Sequence, residues 1–253
     1  MKTAPTFLLV HGSWHDGASW SRVAGYLRDA GCRVEAPTLA GHGADCERSS
    51  VSHDDYVRSV VEVLERLDEP AVVVGHSFGG SVISRVAHVR PDLCALLVYY
   101  GAFVPRDGES VADSLPGPFI AFLEEASAAS PDRSVTLPRE HFVGAFANTA
   151  DEATAAALYE HLVPEPVAPI FEPLRLAGLA AIGIPSAYVS CRQDVALPPG
   201  SFHPGQSSRL DSPQLIEIDA DHEALLTAPA TLAWALLESI GAHDVQALPA
   251  VRT

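Results

Sequence analysis

The 253-residue chain is 47% hydrophobic and 19% charged, enough apolar material for one large α/β domain, alone or carrying an inserted cap. Its 32 acidic and 16 basic side chains leave a formal net charge of −16, and no lysine/arginine cluster interrupts that acidity. Nucleic acid and anionic membrane are thereby excluded as expected partners, and no apolar stretch is long and uncharged enough to span a bilayer.

From the N-terminus, Met1-Lys2-Thr3-Ala4-Pro5 runs into an apolar strand at Thr6–Val10 with no signal-peptide core, which sets a cytoplasmic expectation. Trp20–Ala30 carries helical periodicity through Val23 and Leu27 and stops at Gly31. A strand at Arg33–Ala36, a helix at Asp54–Leu67 and a strand at Ala71–Val74 follow. Gly75-His76-Ser77-Phe78-Gly79 then precedes a helix over Ser77–Val89, which Pro91 ends, and Cys94–Tyr100 is the next strand. The last strands are Ser186–Ser190 and Gln214–Ile218, with an amphipathic helix over Leu225–Ile240 and a loosely held tail beyond Gly241. Near-continuous apolar strands alternating with helices predict a doubly wound, mostly parallel α/β sheet with right-handed crossovers. Cys32, Cys46, Cys94 and Cys191 form no C-x-x-C pair, and three of them fall in or beside strands, where cysteine acts as a small hydrophobe.

The rhythm breaks between Pro105 and Gly183, where prolines and aromatic residues accumulate without strand alternation. Two short helices are expected there, near Gly117–Ala129 and Asp151–Leu162. A structureless loop of that length is unusual in a compact domain, so the stretch reads as a helical cap. The expected division is a core of residues 1–104 and 184–253 with a cap at 105–183.

Strand, G-x-S-x-G and helix in succession describe a nucleophile elbow, a strained turn that lifts Ser77 clear of the sheet's carboxyl edge. A serine hydroxyl needs a base, and the base needs an orienting group. Chemistry in open α/β sheets gathers at the carboxyl ends of the strands. His222, just beyond the last strand, is therefore the expected base, and Asp194, just beyond the penultimate one, the expected acid. Asp221 competes for the second role, but a residue adjacent to the base points away from its ring. His88 reads as structural, and His15, His42, His53, His141, His161, His203 and His243 as solvated or pocket-lining. The developing oxyanion needs preorganised donors, expected from the Phe78 amide and from the Ser13 amide in the loop after the first strand. The pocket is expected to draw on Gly12, Trp14, Phe119, Phe122, Phe146 and His161, with an indole packed in the core as the competing reading for Trp14. No metal-ligand spacing, dinucleotide fingerprint or P-loop occurs, so no cofactor is expected.

His11-Gly12-Ser13-Trp14-His15-Asp16-Gly17-Ala18-Ser19-Trp20, Gly41-His42-Gly43, Gly75–Gly80, Arg192-Gln193-Asp194 and Asp221-His222 resemble the α/β-hydrolase superfamily across essentially the whole chain. The spacing within His11–Trp20 and Ala36–Gly43 is similar to one branch, the plant methyl-ester esterases, their bacterial relatives and the hydroxynitrile lyases. The resemblance implies an α/β-hydrolase fold with Ser77 as nucleophile, His222 as base, Asp194 as its orienter and Ser13 and Phe78 as oxyanion donors. The lyases of this branch carry lysine after the catalytic histidine and threonine after the first strand's histidine; this chain has Glu223 and Gly12. Tyr100-Gly101 also departs from the Leu-Asp usual in the bacterial esterases.

These readings point to a serine carboxylesterase for small, mostly apolar esters, methyl or aryl esters among them. Two alternatives use the same residues: lyase or cyclisation chemistry on the same triad, which Glu223 opposes for cyanohydrins, and a ligand-binding receptor on a hydrolase fold. The expected partner is a small-molecule ester, with a homodimer left open.

Overall fold

The computed structural model describes residues 4–44 and 46–241; the tail beyond Gly241, with His243, lies outside the described residues. Among the described residues eight strands occur in chain order: β1 (Thr6–Val10), β2 (Arg33–Glu35), β3 (Ala71–His76), β4 (Cys94–Tyr100), β5 (Ser134–Val135), β6 (Glu165–Pro166), β7 (Ser186–Cys191) and β8 (Gln214–Ile218). Six of them form one parallel sheet in the order β2-β1-β3-β4-β7-β8, while β5 and β6 pair as a separate antiparallel ribbon.

Side chains alternate across a strand, so each central strand feeds two cores. Leu8, Val10, Val73, Leu97 and Tyr188 point to one face, against Val57 and Val60 of α2 (His53–Leu64) and Ile83 of α3 (Gly79–Val89). Phe7, Leu9, Val72, Val74 and Val98 point to the other, against Val23 and Leu27 of α1 (Ser21–Asp29) and Leu232 and Leu236 of the last helix. Burial on both sides explains why β1, β3 and β4 are apolar along their whole length. Helix α2 begins in a capping box in which Ser52 and Asp55 satisfy each other's backbone amides.

Three boundaries differ from the sequence reading for identifiable reasons. The helix expected over Leu225–Ile240 is two, Ala224–Thr227 and Pro229–Gly241, because Pro229 offers no N–H and pushes Ala228 out of helical geometry (φ −137°, ψ 51°). The helix after the elbow starts at Gly79 because Ser77 takes a positive φ. The ribbon β5–β6 was absent from the reading because two residues per strand are too few to display a period of two.

The chain leaves the main sheet between β4 and β7, and this insertion contains the helices Gly117–Ala129 and Glu152–Tyr159 together with the ribbon. All four cysteines are free thiols, and Cys32, Cys94 and Cys191 are buried. Among the described residues no helix is long and apolar enough to cross a membrane.

Candidate active site

β3 delivers Ser77 into a turn with φ +50°, a left-handed conformation that costs a non-glycine residue of order 1–3 kcal/mol. The turn closes tightly around it. A Cβ on Gly75 would sit 2.6 Å from the Gly79 carbonyl oxygen, and one on Gly79 would sit 2.8 Å from that of His11. The serine backbone is locked to the end of β4: its N–H donates to Tyr100 O (3.1 Å) and its carbonyl accepts from Phe103 N (3.1 Å).

Asp194 follows β7 and His222 follows β8, and the parallel register of these neighbours brings the two loops together. His222 Nδ1 donates to Asp194 Oδ2 at 2.7 Å, and Asp194 Oδ1 accepts from the Leu197 amide at 2.7 Å. Burial works against a charged His222 ring, but the attraction and hydrogen bond of Asp194 outweigh it, so the imidazole titrates above the ordinary histidine value. Asp221 is committed elsewhere, accepting from Thr149 N and Oγ1 and from Thr227 Oγ1.

The His222 backbone is held from beneath. Its carbonyl accepts from the Tyr100 hydroxyl (2.6 Å) and from His76 Nε2 (3.1 Å), and the Tyr100 and His76 rings stack at 4.5 Å. Burial, reinforced by the neighbouring His222 and His15, pushes His76 well below the ordinary histidine value, so it serves here as a neutral donor. At Gly101 a Cβ would sit 3.6 Å from His222 Nδ1, which places the Tyr100-Gly101 departure directly behind the His222–Asp194 pair.

The loop after β1 lies alongside Ser77, and a Cβ on Gly12 would strike the Ser77 Cβ at 2.9 Å. His11 sets the orientation of the Gly12–Ser13 peptide. Its Nε2 accepts from Leu39 N (3.0 Å), which leaves the proton on Nδ1 to donate to Gly12 O (2.9 Å). The Ser13 N–H, trans to that carbonyl, points the opposite way. Ser13 and Phe78 line the same cavity as Ser77 and His222, and among the described residues no protein acceptor takes either amide N–H.

That cavity measures about 210 Å³. Trp14, Phe119, Leu123, Phe146 and Ile170 give it an apolar wall; apart from the Trp14 indole, whose N–H donates to Val135 O, its polar side chains are Ser13, Ser77, His141 and His222. Three expected pocket residues fall outside its lining: Gly12 (packed between Ser77 and His76), Phe122 and His161. Phe122 forms a second layer, against Phe119 (5.7 Å) and stacked on His141 (6.2 Å). His161 is exposed: the turn after Glu152–Tyr159 sends Tyr159 inward, where its hydroxyl donates to Leu137 O. His15, His42 and His53, read as solvated or pocket-lining, are buried and line no part of this cavity. His42 Nε2 meets Glu165 Oε2 at 2.9 Å, and His15 forms a buried ion pair with Glu223 at 3.2 Å. Among the described residues no group of three or more His, Cys, Asp or Glu side chains is arranged to hold a metal ion.

The model of the alpha/beta hydrolase family matches residues 7–235. The chain belongs to this family. A carbendazim hydrolyzing esterase from Nocardioides sp. (strain SG-4G) is 35% identical over 181 residues, 68% of this chain and 74% of that protein. Salicylic acid-binding protein 2 from Nicotiana tabacum is 29% identical over 265 residues, covering 94% of this chain and 98% of its own. The solved structure of an extracellular alpha/beta-hydrolase from a Paenibacillus species is 39% identical, with a TM-score of 0.88 over 93% of this chain and 98% of that one. It is described as sharing structural and functional homology with the tobacco protein.

Sequence reasoning on this α/β-hydrolase missed His76 and Tyr100, whose side chains hold the His222 carbonyl, and the buried Glu165 that meets His42. The one available signal was Tyr100-Gly101, where the chain departs from its relatives' pattern at a position now seen to pack against His222 and Asp194.

Proposed function

We propose that the protein is a serine carboxylesterase that cleaves small, mostly apolar carboxylic esters, methyl or aryl esters among them, through an acyl-enzyme on Ser77. One observation carries this reading: Ser77 on its strained turn and His222, held by Asp194 at 2.7 Å, open into one apolar cavity beside two unengaged amides. Ser77 Oγ attacks the carbonyl carbon and passes its proton to His222 Nε2. The negative charge that develops on the carbonyl oxygen is met by the Ser13 and Phe78 N–H groups. Collapse breaks the ester C–O bond, and His222 returns the proton to the departing alcohol. Water then gives a proton to His222 and attacks the acyl carbon; Ser77 leaves with that proton and the acid is released.

The named relatives support ester hydrolysis, and the cavity's size and apolar wall support a compact acyl group. Glu223 beside the base opposes cyanohydrin cleavage, and the esterase among the named relatives favours hydrolysis over lyase chemistry, cyclisation and pure ligand binding. The insertion at 105–183 acts as a cap, supplying Phe119, Leu123 and Phe146 to the wall. Four unpaired thiols support a reducing, cytoplasmic setting. The test is hydrolysis of p-nitrophenyl acetate through octanoate by the wild type and Ser77→Ala. Turnover drops by about 10⁴–10⁶-fold in the variant, and kcat/KM falls with chain length; a folded Ser77→Ala that keeps full activity overturns the mechanism.

A further inference from the structure

Trp14 follows Ser13 in the loop after β1, and every polar group it owns is tied to the insertion. Its N–H donates to Glu165 Oε2 at 2.9 Å, its carbonyl accepts from Val163 N at 2.8 Å, and its indole Nε1 donates to Val135 O at 2.9 Å. Its φ is +62°, a conformation that an aromatic residue keeps only where its surroundings impose it. The peptide joining Ser13 to Trp14 is gripped on both edges. The N–H edge is held by Glu165, and the carbonyl edge accepts from His15 Nδ1 at 2.8 Å.

Glu165 is fully buried on β6, and its carboxylate meets three groups: Trp14 N–H, His42 Nε2 (2.9 Å) and the Tyr56 hydroxyl (3.1 Å). Placing a carboxylate there is expensive unless each contact is made. Any flip of the Ser13–Trp14 peptide would turn a carbonyl oxygen toward that carboxylate. Without that anchor ψ of Ser13 and φ of Trp14 are released, and a shift of the Ser13 Cα then displaces the N–H that the Gly12–Ser13 peptide presents to the cavity.

We propose that Glu165 is a positioning residue for the oxyanion hole. His11 orients the peptide on the N-terminal side of Ser13; by holding the Trp14 N–H, Glu165 anchors the C-terminal side, so that the Ser13 N–H stays in register with the reacting carbonyl. The insertion thus sets the rate of ester cleavage as well as which esters fit. The inference rests on the Ser77–His222–Asp194 reading, and the experiment separates the two.

Oxyanion donors act on charge that exists only in the transition state, so misplacing one lowers kcat and weakens tetrahedral analogues while sparing ground-state binding. Three variants divide reach from charge. Glu165→Leu removes the acceptor. Glu165→Asp keeps the charge but falls one methylene short of Trp14. Glu165→Gln loses the charge but keeps a carbonyl oxygen within reach, while Tyr56 turns its hydroxyl to accept from the new amide. With p-nitrophenyl acetate, Glu165→Leu and Glu165→Asp are expected to lose about 10- to 100-fold in kcat with KM changed by less than about twofold. Inhibition by phenylboronic acid, whose serine adduct carries the tetrahedral oxygen, weakens by the same factor as kcat/KM. Glu165→Gln stays within about threefold of wild type on every readout. If Glu165→Leu does not fold, the Asp and Gln pair decides alone. An Asp variant with wild-type kcat, a Gln variant as slow as Asp, or a loss confined to KM with boronate affinity unchanged overturns the proposal. A wild type that neither hydrolyses the ester nor binds the boronate overturns both readings, since no oxyanion hole would remain to position.

Discussion

Replacing Asp194 by asparagine removes one charge and keeps the shape, so its effect follows from hydrogen-bond bookkeeping. Asp194 accepts on both oxygens, from Leu197 N–H and from His222 Nδ1, each at 2.7 Å. An asparagine has one oxygen and one NH₂. The Leu197 amide is a fixed donor, so the new carbonyl turns to it and the NH₂ faces His222. His222 Nδ1 then becomes an acceptor and its proton moves to Nε2, the nitrogen that has to take the proton from Ser77. The loss expected from the wrong tautomer is about 10⁴-fold in kcat, equivalent to about 5.4 kcal/mol of transition-state stabilisation. The same substitution removes the attraction that raises His222, so the acid limb of the residual kcat/KM profile moves to lower pH. Hydrolysis of p-nitrophenyl acetate across a pH series, with circular dichroism to establish folding, measures both. A folded Asp194→Asn within tenfold of wild type would refute the assignment of Asp194 and the tautomer argument with it.

Three further perturbations test the supports of the site. Gly75→Ala drives a methyl to 2.6 Å from the Gly79 carbonyl oxygen, so it is expected to destabilise the fold by about 1–3 kcal/mol, roughly 2–4 °C of Tm per kcal/mol, and to lower activity by opening the elbow; unchanged melting would contradict this. Tyr100→Phe strips the 2.6 Å hydrogen bond from the His222 carbonyl and is expected to cost about 1–3 kcal/mol, read by urea denaturation, with a several-fold lower kcat. Acid weakens the fold through buried histidines. Burial lowers His11, His76 and His53, the last to about 4, so their contribution is complete above 6.5 and is lost as pH falls below it. In His15 and His222 burial is outweighed by the Glu223 and Asp194 carboxylates, so both are raised and their contribution is already complete below 6.5. The Tm is therefore expected to drop between about pH 7 and about pH 5, and a midpoint that holds or rises would contradict the burial assigned to these rings.

The parts of this molecule legible in its sequence are those whose physics is local. Runs such as Phe7-Leu8-Leu9-Val10 and Ala71-Val72-Val73-Val74 are apolar because helices cover both faces, so they mark the strands within a residue or two. Ser77, Asp194 and His222 were singled out from their places at strand ends, and the parallel register puts those ends on one edge. What stayed hidden depends on partners far away in the chain. Glu165, between Pro164 and Pro166, carries no local signal of burial; it is buried where Trp14, His42 and Tyr56 converge on it from at least 109 positions away. His15 and His42 read as solvated or pocket-lining for the same reason: each is buried against a glutamate that the fold delivers. The break at Pro229 was written in the sequence, but the apolar periodicity on either side of it masked the missing N–H.

The central claim is that an acyl group passes through Ser77. Mixing the protein with p-nitrophenyl acetate, quenching in acid within the burst and mapping peptides by mass spectrometry tests it directly. The account predicts one acetyl group on Ser77 in the wild type and no acetylated peptide in Ser77→Ala. Rapid release of nitrophenol with the acetyl group on another residue, or with turnover preserved in Ser77→Ala, would contradict it.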